Sequence, residues 1–434
     1  MSVLPTYLGV NNMQKKKDSG VAYLSDVPAH WQAHPVYYYF GERKNKNILL
    51  QEQNLLSLSY GRVVRKDINT TEGLLPASYN TYNIVEKDDI IIRPTDLQND
   101  KRSLRTGLVP ERGIITSAYI ALKPIRPLLS SFFAYQLHAF DVAKVFYNMG
   151  NGVRQGLNYS EFSRLMVYEP PIVEQRLIVS FLDKKCAEID KITSDIHMQI
   201  SMLEEYRNST ISDAVTHGLD RSAQMKESGT PWCPHIPEHW QTTNPKALFY
   251  LRNQRAFPGE RQLTASQRHG IMYQDEFMEL ENQQVVTVEK DFSILKHVEP
   301  NDFVISMRSF QGGLEYSEVS GCISSAYVML IPNMNKVYPP FWKWFFKSSK
   351  YINAIQSTTN LVRDGQAMRY ANFVMVPLFI IPMDEQRRIA EYLNDKVSQI
   401  DAILADKRAQ LSTLEEYKKS LIFEYVTGKK EVPA

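Results

Sequence analysis

The sequence predicts a mixed α/β chain built twice over: two α/β domains in tandem, each followed by one long helix. Three observations carry that prediction. Residues 174–216 return at 385–427 with a fixed offset of 211, so that Glu174-Gln175-Arg176 reappears as Glu385-Gln386-Arg387, and Leu203-Glu204-Glu205-Tyr206 as Leu414-Glu415-Glu416-Tyr417. The sequence ahead of each copy is also shared, with Ser19-Gly20 and Pro28-Ala29-His30-Trp31 returning as Ser228-Gly229 and Pro237-Glu238-His239-Trp240. Deeper in, Gly113 to Tyr119 matches Gly321 to Tyr327, and Val153-Arg154-Gln155-Gly156 matches Val362-Arg363-Asp364-Gly365. The offset drifts by only a few residues, as small loop insertions would cause, and a period near 210 is far too long for a solenoid.

Taken in order, residues 1–18 read as an N-terminal arm, 19–170 as a first α/β domain, 171–218 as a first helical spacer, 219–380 as a second α/β domain and 381–434 as a second helical spacer. Matched apolar runs predict strands at Asp89-Ile90-Ile91-Ile92 and Asp302-Phe303-Val304-Ile305, and again at Ala118–Leu122 and Ala326–Leu330. Phe132 to Met149 and Pro340 to Ile355 read as helices. Between matched strands the copies differ completely: Arg93 to Arg112 has no likeness to the stretch that begins at Arg308. One frame with two sets of loops suits two different recognition surfaces.

Each spacer begins after prolines (Pro170-Pro171; Pro382), carries acids in its first turn (Glu174; Asp384, Glu385) and stops at Gly218 or Gly428, which are helix boundary signals. Apolar residues recur three and four apart: Leu182, Cys186, Ile189, Ile196, Ile200, Leu203, and in the second copy Leu393, Val397, Ile400, Leu404, Leu411, Leu414. That spacing makes a coiled-coil seam, interrupted by Thr193 and Lys407. A helix of about 43 residues runs roughly 65 Å, and two such stripes bury most simply against each other; the spacing leaves parallel and antiparallel pairing both open.

With 43% hydrophobic and 23% charged residues, the chain can bury substantial cores. No apolar run approaches the ~20 residues needed to span a bilayer, and Met1 to Lys17 lacks a signal-peptide core. Three cysteines, Cys186, Cys233 and Cys322, fit a reducing compartment, so the expected location is cytoplasmic with no membrane partner. The net charge of +2 is unevenly spread: 1–170 carries 20 basic against 15 acidic groups and 221–380 carries 16 against 14, while both helical segments are net acidic.

Catalytic motifs do not stand out. There is no phosphate-binding glycine loop, no Asn-Pro-Pro-(Tyr/Phe) of an amino-methyltransferase and no nucleotide-hydrolysis motif. Glu42-Arg43-Lys44 contains a nuclease-like Glu-x-Lys, a common triplet. Cys233, His235 and His239 resemble metal ligands, yet the first copy has Leu24, Asp26 and His30 there and a fourth ligand is missing, which favours packing over zinc. The Glu-Gln-Arg triplets read as first-turn helix structure, and the His-Trp pairs as packing with local hydrogen bonds.

At this point the chain resembles the specificity subunit of a type I restriction-modification system. That family has two target-recognition domains, each followed by a helical region opening on a Pro-rich turn and Glu-Gln-(Arg), and each unit often begins with a Ser-Gly phrase running to Pro-x-His-Trp. Both phrases occur twice here. Asp302 through Arg308 and Gly312-Gly313 to Ser325-Ala326-Tyr327 also matches a frequent recognition-domain phrase; the first unit departs from it at Arg93-Pro94, so no role for Arg308 transfers there. The resemblance implies a noncatalytic subunit whose recognition domains each read one half of a split site in double-stranded DNA. It further implies that the two helices pair as an antiparallel coiled coil, that two methyltransferase subunits dock on them, and that motor-nuclease subunits join for restriction. No cofactor is expected in this chain; S-adenosylmethionine, ATP and Mg2+ would belong to the partners. The rival readings are a stand-alone nuclease or fused methyltransferase, and a coiled-coil scaffold with no DNA target.

For DNA contact, arginine is the informative residue, because its fork reads guanine O6 and N7 and also clamps phosphates. Arg154 and Arg363 sit beside glycines at equivalent places, which suits phosphate anchoring. Base reading is expected from the unshared loops: Arg43, Lys44, Lys101, Arg102 and Arg105 in the first domain, and Arg252, Arg255, Arg268 and Arg308 in the second.

Overall fold

A computed structural model describes residues 15–69, 78–95, 97, 104–145, 147, 149, 156–285, 294–306, 309–358 and 369–433. The chain divides into two compact units, Met1–Ile196 with Ala409–Ala434, and His197–Arg408. The first unit is thus discontinuous in sequence.

In the first unit the strands follow as a hairpin β1 (Lys16–Val21) and β2 (Leu24–Pro28), β3 (Gln32–Pro35), β4 (Phe40–Glu42), a second hairpin β5 (Leu56–Ser59) and β6 (Arg62–Arg65), then β7 (Asn83–Val85), β8 (Ile90–Ile92), β9 (Thr106–Leu108), β10 (Gly113–Ile115), β11 (Ile120–Pro124) and β12 (Met166–Glu169). A four-stranded antiparallel sheet of order β4-β11-β8-β9 stands at the centre, with β7 paired to β10 and β3 to β12. Side chains alternate across this sheet. Ile90, Ile92 and Leu122 enter the main core beneath helix α1 (Ser130–Val142), while Ile91 and Ala121 enter a smaller core with Leu56 and Val63.

The second unit repeats this plan. Its strands are β13 (Met225–Glu227), β14 (His235–Pro237), β15 (Gln241–Thr243), β16 (Phe249–Arg252), β17 (Leu263–Ser266), β18 (Gly270–Tyr273), β19 (Lys296–Val298), β20 (Phe303–Ile305), β21 (Glu315–Tyr316), β22 (Gly321–Ile323), β23 (Val328–Pro332) and β24 (Leu378–Ile380). The central order β16-β23-β20-β21 matches β4-β11-β8-β9 strand for strand. Phe303 and Ile305 face a large aromatic core with Trp342, Phe345 and Phe346, and Val304 faces a small one with Leu263 and Ile271. Fully burying each such side chain is worth about 1.5–3 kcal/mol.

The long helices are α2 (Ile172–His217) and α6 (Met383–Val426), and both end at a left-handed glycine, Gly218 (φ 73°) and Gly428 (φ 68°), the conformation that closes helices without a Cβ penalty. The first four seam residues of each are buried, Leu182 to Ile196 and Leu393 to Leu404, and the last two are half-buried. Each unit holds a part of both helices. In the first, Phe181 packs on Tyr425 with ring centroids 4.5 Å apart and Lys418 pairs with Asp190, so the two segments run in opposite directions. In the second, Arg207 pairs with Asp401 at 2.7 Å and Glu204 with Arg408 at 2.7 Å, and the segments there also oppose.

Two helix expectations are shorter in the structure than in the sequence reading. The helix expected to reach Met149 stops at Val142, because Lys144 turns left-handed (φ 59°) and Asp141 gives its carboxylate to the Arg105 amide. The run from Pro340 to Ile355 is two helices, α4 (Pro339–Phe345) and α5 (Ser349–Ser357), because Ser348 caps a new start by accepting the Tyr351 amide. In the second unit a further helix, α3 (Gln274–Glu281), follows β18 directly.

Candidate nucleic-acid interface

The strongest repeated chemistry lies where each unit meets its helix. In the first unit the Glu174 carboxylate lies 2.8 Å from His30 Nε2 and accepts the Trp31 indole N–H at 3.1 Å. In the second, Glu385 lies 2.7 Å from His239 Nε2 and accepts from Trp240 Nε1 at 3.0 Å. The two phrases that the sequence repeats are therefore one joint, with a fully buried indole held by the first-turn carboxylate of a helix. The neighbouring Gln386 is buried and its Oε1 accepts from the Tyr338 amide (2.8 Å) and Trp342 Nε1 (3.0 Å), while Gln175 donates to the Pro170 carbonyl at 2.9 Å. These groups are structural. Cys233 lies buried with its thiol on the His235 carbonyl at 3.5 Å, and burial pushes that thiol up to about 11.

Of the arginines expected to contact DNA, Arg43 and Arg252 turn inward. Arg43, just after β4, donates Nη2 to Asp89 at 2.9 Å and pairs through Nε with the other oxygen. Arg252, at the end of β16, donates Nε to Asp302 at 2.6 Å and Nη2 at 3.0 Å. Each aspartate also accepts a backbone amide three residues earlier, Glu86 at 2.9 Å and Glu299 at 3.0 Å, behind a left-handed Asp88 or Asn301. Burial lifts both carboxyls above their ordinary range, against the pull of the paired guanidinium. Arg105 is wholly buried: Nε donates to the Tyr147 hydroxyl at 2.9 Å, and Nη1 to the Thr95 carbonyl.

The exposed candidates among the described residues are Lys44, which pairs with Glu42 at 2.8 Å, Arg255, whose Nη1 donates to the Ile294 carbonyl at 2.9 Å, and Arg268, 80% exposed and 3.5 Å from Glu281. Lys101, Arg102, Arg154, Arg308 and Arg363 lie outside the described residues. The hairpin tips also expose side chains that the sequence does not single out: Tyr60, 88% exposed between β5 and β6, and Gln267 and His269 between β17 and β18. The signal was present, since Gly61 and Gly270 mark hairpin turns between alternating strands.

The two units diverge at one further ion cluster. Arg112 bridges Glu52 (3.0 Å) and Glu86 in the first unit; in the second, the buried His297 lies between Glu260 and Glu299, the latter at 2.7 Å.

Among solved structures, the chain is similar over 93% of its length, and over 99% of the other chain, to one from a study of complex assembly and conformational transition in the type I R-M system, at a TM-score of 0.68 and 12% identity. This is the fold of a type I R-M system component. Looser likenesses are to the HsdS subunit from Thermoanaerobacter tengcongensis (TM-score 0.48, 13% identity, 93% and 98% covered) and to the type I restriction-modification system S subunit from M. genitalium (0.36, 14%, 91% and 96%); the fold assignment rests on the first. No protein-family model and no curated protein matches the sequence. Within the described residues, no helix is long and apolar enough to cross a membrane, and no group of three or more His, Cys, Asp or Glu is placed to hold a metal.

Proposed function

We propose that this chain is the DNA sequence-specificity subunit of a type I restriction-modification complex, noncatalytic in itself, with one half-site of a bipartite target read by each α/β domain. The observation that carries the reading is the likeness to a type I R-M chain along nearly the full length of both proteins, in a molecule whose own domain is built twice with the same strand order. The opposed helix segments in each unit support a continuous antiparallel coiled coil of α2 and α6, on which two methyltransferase subunits dock and motor-nuclease subunits follow. S-adenosylmethionine, ATP and Mg2+ belong to those partners, and a cytoplasmic location fits the three free cysteines. In this reading the recognition domains span 19–170 and 219–380, the spacers 171–218 and 381–434, and the arm 1–18. Two fixed domains convert protein geometry into a fixed number of unread base pairs, as half-site spacing does in dimeric readers.

Phosphate anchoring by Arg154 and Arg363, and contacts by Lys101, Arg102 and Arg308, belong to this reading, together with the exposed Lys44, Arg255 and Arg268. The test is co-expression with a cognate methyltransferase subunit and mapping of methylated bases across the host genome. A two-part motif with a constant gap establishes the function. A stable complex that adds no methylation anywhere overturns it.

A further inference from the structure

Each unit carries a β-hairpin on its small core, and the tips differ in length and in chemistry. In the first, β5–β6 turns through Tyr60 and Gly61, both left-handed (φ 45° and 76°). In the second, β17–β18 turns through Gln267, Arg268 and His269 and closes on Gly270 (φ 74°). The hairpin stems seat Leu56 and Val63, or Leu263 and Ile271, against the back of the central sheet, so each tip is carried on a rigid base.

The second tip is braced on two sides. Glu281, the last residue of α3, lies 2.8 Å from His269 Nε2, and the Ser266 hydroxyl accepts the Arg268 and His269 amides at 3.3 and 3.2 Å. On the other side Gly312, the last residue of a short helical turn Ser309–Gly312, lies so close that a Cβ there would come within 2.8 Å of the Gln267 carboxamide. Arg268 is held loosely by comparison, 80% exposed and 3.5 Å from Glu281, beyond a good hydrogen bond. Elsewhere in this unit Arg252 is committed to Asp302, and Arg255 donates to a backbone carbonyl. A two-stranded ribbon fits the major groove, and an arginine fork offers two parallel donors to guanine O6 and N7.

Resting on the DNA-reading function above, we propose that the β17–β18 tip is the base-reading element of the second unit, with Arg268 contacting a guanine edge and Glu281 acting as a positioning residue through His269. The first unit presents a phenol, Tyr60, at the equivalent tip, and so reads a different half-site.

The experiment uses the full chain in complex with the methyltransferase subunit, comparing wild type with Arg268→Ala, Arg268→Lys and Glu281→Gln by genome-wide methylation mapping, with thermal midpoints as a folding control. The expected result is relaxed preference at one base of one half-site, roughly 5- to 150-fold for both Arg268 variants and in the same position for Glu281→Gln, the other half-site being unchanged. An unchanged motif overturns the proposal. So does a uniform loss of methylation across all sites with a shallower salt dependence of binding, which marks a phosphate contact; both of these leave the specificity function standing. Absence of any two-part motif with the wild-type chain removes the function and this proposal with it.

Discussion

Arg252 grips Asp302 through two N–H groups, at 2.6 and 3.0 Å, and Arg43 pairs with Asp89 in the first unit through one Nη2 hydrogen bond at 2.9 Å and an ion contact of Nε. Both aspartates are almost fully buried, so each arginine neutralises a carboxylate that water cannot reach. Breaking such a pair from one side costs about 3–5 kcal/mol, whereas replacing both partners with neutral groups costs far less. Arg252→Ala should therefore destabilise the second unit by that amount in chemical denaturation, and Arg252→Met with Asp302→Asn should recover most of it. Equal losses in the single and double variants would show that the buried charge is not what matters.

The His-Trp joint predicts a second energy. Glu385 receives both His239 and the buried Trp240 indole, and a charged acceptor contributes about 1.5–3 kcal/mol per lost hydrogen-bond partner. The His239 contact is half exposed and contributes little, so Glu385→Ala should lower stability by about 2–3 kcal/mol, chiefly through the buried Trp240 indole, and Glu385→Gln by less, with the Trp240 environment reported by tryptophan fluorescence. Glu174→Ala should behave alike in the first unit.

Glycine substitutions should separate conformation from space. Gly20 (φ 79°) and Gly428 (φ 68°) are both left-handed, but a Cβ on Gly20 meets nothing within 4 Å, while one on Gly428 meets Pro28 at 2.3 Å and Trp31 at 3.3 Å. Gly20→Ala should cost about 1 kcal/mol, the left-handed penalty alone. Gly428→Ala should cost several times more, since proline cannot move aside, and paired thermal melts measure the difference.

His138 lies on a cavity of roughly 660 Å³ in the first unit with no hydrogen-bond partner among the described residues, and burial, aided by the Lys418 ammonium, pushes it down to about 4. The unfolded chain therefore binds a proton between pH 6.5 and 4 that the folded chain refuses. Stability is full above about 6.5 and is lost as the pH falls toward 4, by up to about 3 kcal/mol. His138→Leu should flatten that slope, as read from denaturation midpoints at pH 7.5 and 5; an unaltered slope would falsify the assignment.

The repeat made much of the architecture legible, because a frame shared at near-constant offset marks the core: the strands around Ile91 and Val304 and the helix ends at Gly218 and Gly428 are readable from it, whereas the His-Trp pairs and the Glu-Gln-Arg triplets read as separate features that only the contacts of Glu174 and Glu385 join. Direction was not readable. Residue type alone placed Arg43 and Arg252 on the outside, yet each recurs in register with its aspartate, Asp89 and Asp302, and a pair shared by both copies signals scaffold rather than divergent recognition. Arg105 gave no such warning, having no counterpart in the second copy. Arg268 reads in the sequence as one arginine among several, and nothing in residue type marks Gln267 and His269 beside it; the turn at Gly270 is what groups the three.

The last turns of α6 place Leu421, Ile422, Tyr425 and Val426 in the main core of the first unit. During synthesis these residues leave the ribosome only after the whole of 197–408 has been made, roughly 10–40 s later at 5–20 residues per second. The first unit to be translated is thus the last to be completed, and it must wait with one wall of its core open while the second, contiguous in sequence, closes ahead of it.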